Sequence, residues 1–414
     1  MSRTSGHRTK CPFRLPSQAL GLVVPALLMG QVAIAAPPAL AASLPAKGES
    51  VEVLTPGERA TATGIAPATE LENRHITSAL VRGQADPSWS HLESVRDQVA
   101  ELTGPLHGPV MVSVDVHAGK VELVVQRRDL KLEHELAARF GAAEVYVRVD
   151  PGLPQISTLV GTIPATAELA APAALPRGTR QSDYHPWSGG ARYRLKGATP
   201  LTPGLCTTGF PWIINKKKYM LTAGHCLPNG GWTWSNVSSE LLGGVVQKDR
   251  DENWHISNGT QQIARLGGTD SNNGDLARIP VWTATSIYVG GPASTAIKQV
   301  SGANFTFERD RICSGGSYSG ELCGWEVSRV ATSVRYKDGQ WARNVSVATR
   351  TDGRCTMAGD SGGPIYRPHS NNSVHAHGIL SGGGRSGNTC SVIFTDIFRA
   401  VDLWGGQLHV KRFF

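Results

Sequence analysis

The sequence predicts an all-β fold for its C-terminal half, and three observations lead to this prediction. Only 18% of the residues are charged, 47 of the 414 residues are glycine, and helical periodicity disappears after about residue 182. Beyond that point, short apolar runs such as Tyr219–Leu221 and His377–Leu380 alternate with Gly, Asn, Ser and Asp turns. Regular short strands of this kind are typical of a closed barrel or a sandwich. The run Lys216–Lys218 has apolar residues on both sides and predicts a hairpin turn.

The residues before this half predict a smaller, separate α/β unit. Apolar spacing and turn residues indicate two helices, a hairpin and one further strand: 91–102, 130–140, 110–125 and 144–149. The stretch Pro151–Pro176 is rich in Pro, Ala and Thr, and it predicts an exposed linker.

The N-terminus has the pattern of a secretory signal peptide. Four basic residues precede an apolar stretch from about Ala19 to Ala36, and Ala39-Leu40-Ala41 offers an A-x-A cleavage site. Pro25 and Gly30 interrupt the apolar stretch, which disfavours a membrane anchor. We therefore expect a signal peptide over 1–43, a pro-region with its linker over 44–180, and a third domain over 181–414.

The cysteines indicate an oxidising compartment. Of seven cysteines, Cys11 would leave with the signal peptide, and the other six lie in the C-terminal half: Cys206, Cys226, Cys313, Cys323, Cys355 and Cys390. An even set within one segment suggests disulfides. No C-x-x-C pair occurs, so neither a metal nor another cofactor is expected. The net charge of +8 could attract acidic polymers, but a solvated surface is the simpler interpretation, and no nucleic-acid partner is expected.

The glycine-rich motif Gly359-Asp360-Ser361-Gly362-Gly363-Pro364 contains a candidate nucleophile, Ser361. A serine hydroxyl needs a base within hydrogen-bond reach and donors aimed at the oxyanion that forms on attack. Because glycine tolerates unusual backbone angles, Gly359 can turn its N–H toward the same point as the N–H of Ser361. We expect Asp360 to be a buried carboxylate that fixes this turn through a charged partner. The motif also fits G-x-S-x-G, the nucleophile elbow of the α/β-hydrolase fold. In that fold a helix begins directly after the serine, whereas Gly363–Tyr366 predicts a strand here.

A second motif offers the base. Met220-Leu221-Thr222-Ala223-Gly224-His225-Cys226 predicts a strand that runs into a short turn presenting His225, and Cys226 can tie that turn down. The acid that orients the imidazole is expected between the two motifs. Asp275, in Asp-Leu-Ala at the start of an apolar strand, is the first choice, and Asp270 in a turn-like setting is the alternative.

The two motifs together resemble those of the trypsin/chymotrypsin family of serine proteases. The order His before Ser matches that family and differs from the Ser-first order of α/β-hydrolases. The six cysteines and the glycine-rich segments around them resemble the bacterial, streptogrisin-like branch. The resemblance implies two packed six-stranded antiparallel β-barrels, a triad of His225, Asp275 and Ser361 between them, and a pro-region upstream that assists folding. It also implies the pairs Cys206–Cys226, Cys313–Cys323 and Cys355–Cys390, although the sequence alone permits 15 pairings.

The resemblance also implies where a substrate would bind. Ser381, Gly382 and Gly383 are expected to pair with the substrate backbone and to form one wall of the primary pocket. Thr356, Met357 and Ala358 are expected to form the opposite wall. Cys355 stands where trypsin-like enzymes carry a pocket aspartate, so apolar or medium-sized side chains are favoured before the cut bond. A glutamate preference is disfavoured because Leu380, and not a histidine, precedes Ser381.

The sequence is therefore interpreted as that of a secreted, monomeric serine endopeptidase made as a precursor. Its expected partners are polypeptide substrates and its own pro-region, with no membrane contact once the signal peptide is removed. The mature enzyme is expected to begin between Pro176 and Gly190. The main alternative is a catalytically inactive homologue that acts as a secreted binding protein. An α/β-hydrolase esterase and a periplasmic protease-chaperone are further alternatives.

Overall fold

The structure of the protein is a computed structural model that describes residues 87–104, 106, 108–159, 161–162, 178–196, 203–227, 232–235, 241–248, 254–256, 261–262, 274–369 and 371–411. The expected signal peptide, Cys11 and the alternative acid Asp270 lie outside the described residues. Within the described part of the chain, none of the helices combines the length and the apolar character needed to cross a membrane.

The upstream unit is a three-stranded sheet covered by two helices. Its elements are α1 (Pro87–Leu102), β1 (Val110–Asp115), β2 (Lys120–Val125), α2 (Leu130–Phe140) and β3 (Val145–Val149). The β1–β2 hairpin is antiparallel, and β3 lies parallel to β2. Helix α2 begins and ends at the residues that the sequence predicts, because the Asp129 side chain accepts a hydrogen bond from the N–H of Leu132 and Gly141 ends it at a positive φ.

The first β-barrel follows the upstream unit. Its strands are β7 (Arg192–Lys196), β8 (Pro203–Thr207), β9 (Pro211–Ile214), β10 (Lys217–Thr222), β11 (Trp232–Ser235), β12 (Leu241–Lys248), β13 (Trp254–Ile256), β14 (Gln261–Gln262) and β15 (Ala277–Pro280). A short strand that precedes them in the chain, β6 (Trp187–Gly189), belongs to the sheet of the second barrel. Hydrogen bonding runs in the order β9-β10-β15-β14-β13-β12-β11-β7-β8. The two strands at the ends of this path, β8 and β9, are joined directly by residues 208–210. The predicted lysine hairpin is confirmed, since β9 and β10 pair around Asn215 and Lys216.

The second barrel is closed by hydrogen bonds all the way round. Two strands, β16 (Thr283–Tyr288) and β17 (Ile297–Ala303), precede it. Six strands then form the ring: β18 (Arg311–Gly316), β19 (Gly320–Arg335), β20 (Trp341–Arg350), β21 (Pro364–His369), β22 (Ser373–Ser386) and β23 (Thr389–Asp396). They pair in the cyclic order β19-β18-β21-β22-β23-β20. The chain continues into a short helix, α3 (Phe398–Trp404), and a last strand, β24 (Gln407–Leu408), which pairs with β9. The predicted all-β, two-barrel fold is thus confirmed.

The upstream unit is joined to the second barrel through the β19–β20 hairpin. Strand β1 pairs antiparallel with β19, so the two sheets are continuous. Arg335 donates hydrogen bonds to the carbonyl oxygens that follow α1, including those of Leu106 at 2.7 Å and Gly108 at 2.6 Å. Glu122 of the upstream unit, only 2% exposed, accepts a hydrogen bond from Arg329 at 3.2 Å. The upstream unit therefore binds this hairpin through a shared sheet and through hydrogen bonds from arginines.

The first part of the predicted linker is not exposed, and that prediction was wrong for residues 153–159 and for Gly161. Leu153, Ile156 and Leu159 are buried at 5%, 2% and 8% exposure. Two short strands, β4 (Ser157–Thr158) and β5 (Gly161–Thr162), interrupt the segment. Strand β4 pairs with β22 of the second barrel and β5 with β8 of the first. A composition rich in Pro, Ala and Thr conceals these contacts because the partners that bury the segment are far along the chain.

Candidate active site

His225 is presented by a short turn that follows a buried strand. Strand β10 ends at Thr222, and Gly224–Cys226 form one turn of 3-10 helix. The disulfide Cys206–Cys226 ties this turn to β8. The imidazole is only 7% exposed, so its position is set by packing on most sides.

Asp275 lies two positions before β15, the neighbour of β10, with its side chain fully buried. Its backbone N–H donates to Thr395 Oγ1 at 2.9 Å. One carboxylate oxygen, Oδ1, accepts the backbone N–H of His225 at 2.9 Å, and the other, Oδ2, is 2.5 Å from His225 Nδ1. The hydroxyl of Ser381 also donates to Oδ2. The carboxylate thereby fixes both the backbone and the ring of His225.

The environment of Asp275 favours the ionised carboxylate. Burial by itself raises the pKa of this group, but the attraction of His225 and the hydrogen bonds from His225 and Ser381 outweigh burial, and the pKa is lowered below its usual value. An ionised Asp275 accepts hydrogen bonds only, so Nδ1 of His225 carries a proton and Nε2 is free to accept one.

Ser361 stands at the other side of the imidazole, in the loop that leads into β21. Its Oγ is 2.8 Å from His225 Nε2. The structure thus brings together the three side chains that the sequence singles out, although they lie 50 and 136 positions apart along the chain. Because Nε2 can accept the hydroxyl proton, this arrangement can convert Ser361 into a nucleophile.

Two backbone amides converge next to Ser361, as the sequence predicts. The N–H groups of Gly359 and Ser361 both point at one carbonyl oxygen, that of Leu159. Gly359 adopts a φ of 101°, and a Cβ there would lie 2.2 Å from the ring of Tyr318. Glycine is therefore required at this position, both for the backbone angle and for the close approach of the tyrosine.

Asp360 is buried, and the groups that bond to it directly are backbone N–H groups and not the expected charged side chain. Its carboxylate accepts hydrogen bonds from the backbone N–H groups of Tyr318, Ser319 and Met357, at 2.8, 3.1 and 2.7 Å. No cation forms a salt bridge with it in the part of the chain that the structure describes. Burial raises the pKa of Asp360 above its usual value. Backbone donors hold the loop in place, and a sequence does not display such donors because every residue but proline carries one.

The expected substrate-binding residues lie on both sides of a groove. Gly382 and Gly383 pair with Thr158 and Ser157 of β4. Thr356 is buried and faces the glycine strand, since a Cβ on Gly383 would lie 2.6 Å from its Oγ1. In contrast, Met357 and Ala358 are exposed at the rim. The disulfide Cys355–Cys390 ties the residue before Thr356 to β23, the neighbour of β22, and the disulfide Cys313–Cys323 joins β18 and β19. All three pairs are those implied by the resemblance.

Two residues of this region were not singled out from the sequence. Tyr336, fully buried in the β19–β20 hairpin, places its hydroxyl 2.6 Å from Ser381 Oγ. Leu159 places its carbonyl oxygen at the converging amides and its N–H 3.0 Å from Ser361 Oγ. Neither residue lies in a recognisable motif, so only the tertiary structure identifies them.

The fold and the comparison with protein families agree on the class of protein. Two antiparallel β-barrels with this site between them define the chymotrypsin-like class. The family model described as Trypsin matches residues 179–404, more than half of the chain. The chain belongs to the trypsin family of serine peptidases.

Several solved structures of bacterial enzymes are similar to this chain. The Nocardiopsis protease NAPase is 19% identical, with a TM-score of 0.38, over 53% of this chain and 97% of its own. Protease A of Thermobifida fusca is 20% identical, with a TM-score of 0.38, over 54% and 98%. The chymotrypsin of Cellulomonas bogoriensis is 19% identical, with a TM-score of 0.36, over 54% and 98%. The comparison with curated protein sequences found no match.

Proposed function

We propose that this protein is a secreted serine endopeptidase that hydrolyses peptide bonds through a triad of His225, Asp275 and Ser361. One observation carries the proposal: the hydrogen-bonded series Asp275–His225–Ser361 lies directly beside two amides that converge on a carbonyl oxygen. A serine with only a structural role would not need the two converging amides. The combination is what acyl transfer requires.

The proposed reaction proceeds through an acyl-enzyme. Ser361 Oγ attacks the peptide carbonyl carbon while His225 Nε2 takes the hydroxyl proton. The amides of Gly359 and Ser361 stabilise the oxyanion, each by roughly 3 to 4 kcal/mol. His225 then gives its proton to the leaving amine, and a water molecule repeats the cycle on the ester. Asp275 remains ionised throughout, which its lowered pKa supports.

We further propose that the protein is exported as a precursor and acts as a monomer. Three disulfides favour an oxidising compartment, in agreement with the signal peptide expected over 1–43. The upstream unit contributes no residue to the triad, and it packs on the β19–β20 hairpin through a continuous sheet. This packing supports the role expected for a pro-region over 44–180, which is to assist folding of the protease domain over 181–414.

The alternative function is that of an inactive homologue that binds polypeptides. Such a protein would retain the groove beside Gly382 and Gly383 but would not need an activated serine. The 2.8 Å contact between His225 Nε2 and Ser361 Oγ favours the peptidase. The two functions differ in whether Ser361 reacts with an electrophile.

Labelling with an organophosphate tests the proposal. We expect the purified, secreted protein to be labelled stoichiometrically at Ser361, and Ser361→Ala to lose both labelling and about a million-fold in turnover. Ser373→Ala is the matched control, because Ser373 is a buried serine of β22 that bonds to Ser301, outside the triad. Near-normal activity in Ser361→Ala would end the triad assignment, and a folded protein that resists labelling would favour the binding protein.

A further inference from the structure

The segment between the upstream unit and the first barrel crosses the candidate active site. Ser157 and Thr158 pair antiparallel with Gly383 and Gly382 on one side of Ser361. This pairing covers the part of β22 that was expected to bind the backbone of a substrate. The upstream segment therefore occupies the place of a substrate before the bond to be cut.

The same segment continues on the other side of Ser361. Gly161 and Thr162 pair antiparallel with Leu205 and Gly204 of β8, next to the disulfide that ties down His225. A chain that merely covered the site from one barrel would not need both pairings. The segment is held on both sides of the nucleophile, as an uncut polypeptide substrate is.

The carbonyl group between the two paired stretches is the one aimed at the amides. The carbonyl oxygen of Leu159 accepts hydrogen bonds from the N–H groups of Gly359 and Ser361, the latter at 3.4 Å. The N–H of Leu159 is 3.0 Å from Ser361 Oγ. The carbonyl carbon that Ser361 would attack is therefore that of Leu159.

We propose that the protein cleaves its own chain between Leu159 and Val160, a step that rests on the proposed peptidase function. Ser361 Oγ forms an ester with the Leu159 carbonyl carbon as the bond to the Val160 nitrogen breaks, and His225 passes the serine proton to that nitrogen. One water molecule then hydrolyses the ester. The products are a carboxylate at Leu159 and a new N-terminus at Val160.

Glycines make room for the backbone of this segment at two places in the groove. A Cβ on Gly382 would lie 2.8 Å from the carbonyl oxygen of Ser157, and a Cβ on Gly384 would lie 2.6 Å from that of Gln155. These distances are too short for a Cβ atom, so glycine at both positions leaves the space that the backbone of the upstream segment occupies. The run fits the segment as it lies in the structure.

The side chain of Leu159 defines what the pocket accepts. It is 8% exposed and belongs to a hydrophobic cluster with Leu380 and Val392. A Cβ on Gly383 would lie 3.2 Å from Leu159 Cδ1, so the missing side chain of Gly383 leaves the space that the leucine fills. The self-cleavage site thus identifies leucine as a favoured residue before the cut bond.

The second position after the cut bond, Gly161, is restricted as well. A Cβ on Gly161 would lie 3.1 Å from Gly359 Cα and 3.2 Å from its nitrogen, both rigid backbone atoms. Glycine is therefore favoured at the second position after the cut. This cleavage would leave residues 160–177 on the protease part, so the first N-terminus lies upstream of the expected range Pro176–Gly190.

Mass spectrometry and N-terminal sequencing of the full chain during maturation test the proposal. We expect an early product that begins at Val160 and a matching fragment that ends at Leu159, while the Ser361→Ala chain stays intact. Leu159→Lys is expected to slow this cleavage at least about 100-fold, because an unpaired ammonium would have to be buried. Leu159→Met is expected to retain it, and Gly161→Val to slow it about tenfold because of crowding against Gly359.

The control is Leu130→Lys, which makes the same change at a leucine that is 61% exposed on α2, and it is expected to mature normally. An active, Ser361-labelled enzyme whose Leu159–Val160 bond stays intact, or whose first cut lies elsewhere, would overturn this inference and leave the peptidase function standing. Absence of both labelling and peptide hydrolysis would overturn the peptidase function itself.

Discussion

The hydroxyl groups of Tyr336 and Ser381 lie 2.6 Å apart beneath the candidate triad. Because Ser381 donates its own proton to Asp275, the tyrosine is the donor in this pair. The series Tyr336–Ser381–Asp275–His225–Ser361 therefore begins in the β19–β20 hairpin, the element on which the upstream unit packs. This connection joins the hairpin that the upstream unit contacts to the carboxylate of the candidate triad by hydrogen bonds alone.

Tyr336→Phe is expected to lower kcat several-fold with little change in KM. The substitution leaves the buried Ser381 hydroxyl without a donor, which costs about 1 kcal/mol, and it weakens the support of Asp275. Ser381→Ala removes the donor to the carboxylate and is expected to lower kcat about tenfold. Steady-state kinetics with a peptide ester would measure both effects.

The control for these variants is Tyr288→Phe, which removes a tyrosine hydroxyl that donates to Asp183 at 2.9 Å, outside the series. It is expected to change stability and to leave kcat unaltered. Equal losses of kcat in Tyr336→Phe and Tyr288→Phe would contradict a specific role for Tyr336.

Gly383→Val is expected to change the preference of the enzyme toward smaller side chains. The added atoms would enter the space that Leu159 Cδ1 occupies and would crowd Thr356. We expect kcat/KM for peptides with leucine before the cut bond to fall about 100-fold, and that for alanine peptides to fall much less. A panel of short chromogenic peptides measures the ratio.

Gly291→Val is the matched control, because a Cβ at Gly291 meets no atom within 4 Å. It is expected to leave the ratio of leucine to alanine hydrolysis unchanged. A parallel decrease for both peptides in Gly383→Val would argue against Gly383 as the pocket wall, as would a strong preference of the native enzyme for arginine or lysine.

Arg335→Met is expected to destabilise the precursor by about 3 kcal/mol. The guanidinium donates to four carbonyl oxygens after α1, and the substitution would leave these acceptors without their donor. Denaturant unfolding of the Ser361→Ala precursor, which cannot digest itself, would measure the loss. Arg311→Met, at an arginine whose side chain is 71% exposed, should alter the free energy of unfolding far less.

Asp396→Asn is expected to make stability less dependent on pH. Burial raises the pKa of Asp396 from 3.8 to about 6, so its favourable contribution to folding is complete below 3.8 and is lost as the pH rises through about 6. The asparagine keeps an acceptor for the N–H of Phe398 and does not ionise. Relative to the native residue, Asp396→Asn should therefore gain about 3 kcal/mol between these pH values.

Denaturant unfolding of the Ser361→Ala precursor and of its Asp396→Asn derivative, repeated from acid to neutral pH, would measure this gain. A difference between the two that stays constant with pH would contradict a raised pKa at Asp396.

Local signals allowed much of the fold and the site to be predicted from the sequence. The turn before His225 and the loop around Ser361 are each encoded by a continuous sequence motif. Helix α2 was predicted correctly because Asp129 caps its N-terminus and Gly141 its C-terminus. The segment over 153–159 was misread as part of a linker because its burial depends on the glycines of β22, which lie far along the chain. The direct partners of Asp360 were not predicted because they are backbone N–H groups, which nearly every residue carries and which a sequence therefore cannot distinguish.

The sheet shared by β1 and β19 has a consequence for the protein if the proposed cleavage releases its upstream unit. Residues Thr332–Val334 then present backbone groups that have lost their partners, and an edge of this kind can pair with another chain. Arg329, Arg335 and Arg343 flank that edge, and all three are engaged by the upstream unit in the precursor. The arginines that bind the upstream unit would then repel a second copy of the mature enzyme, so the same positive charges that hold the precursor together would discourage its aggregation.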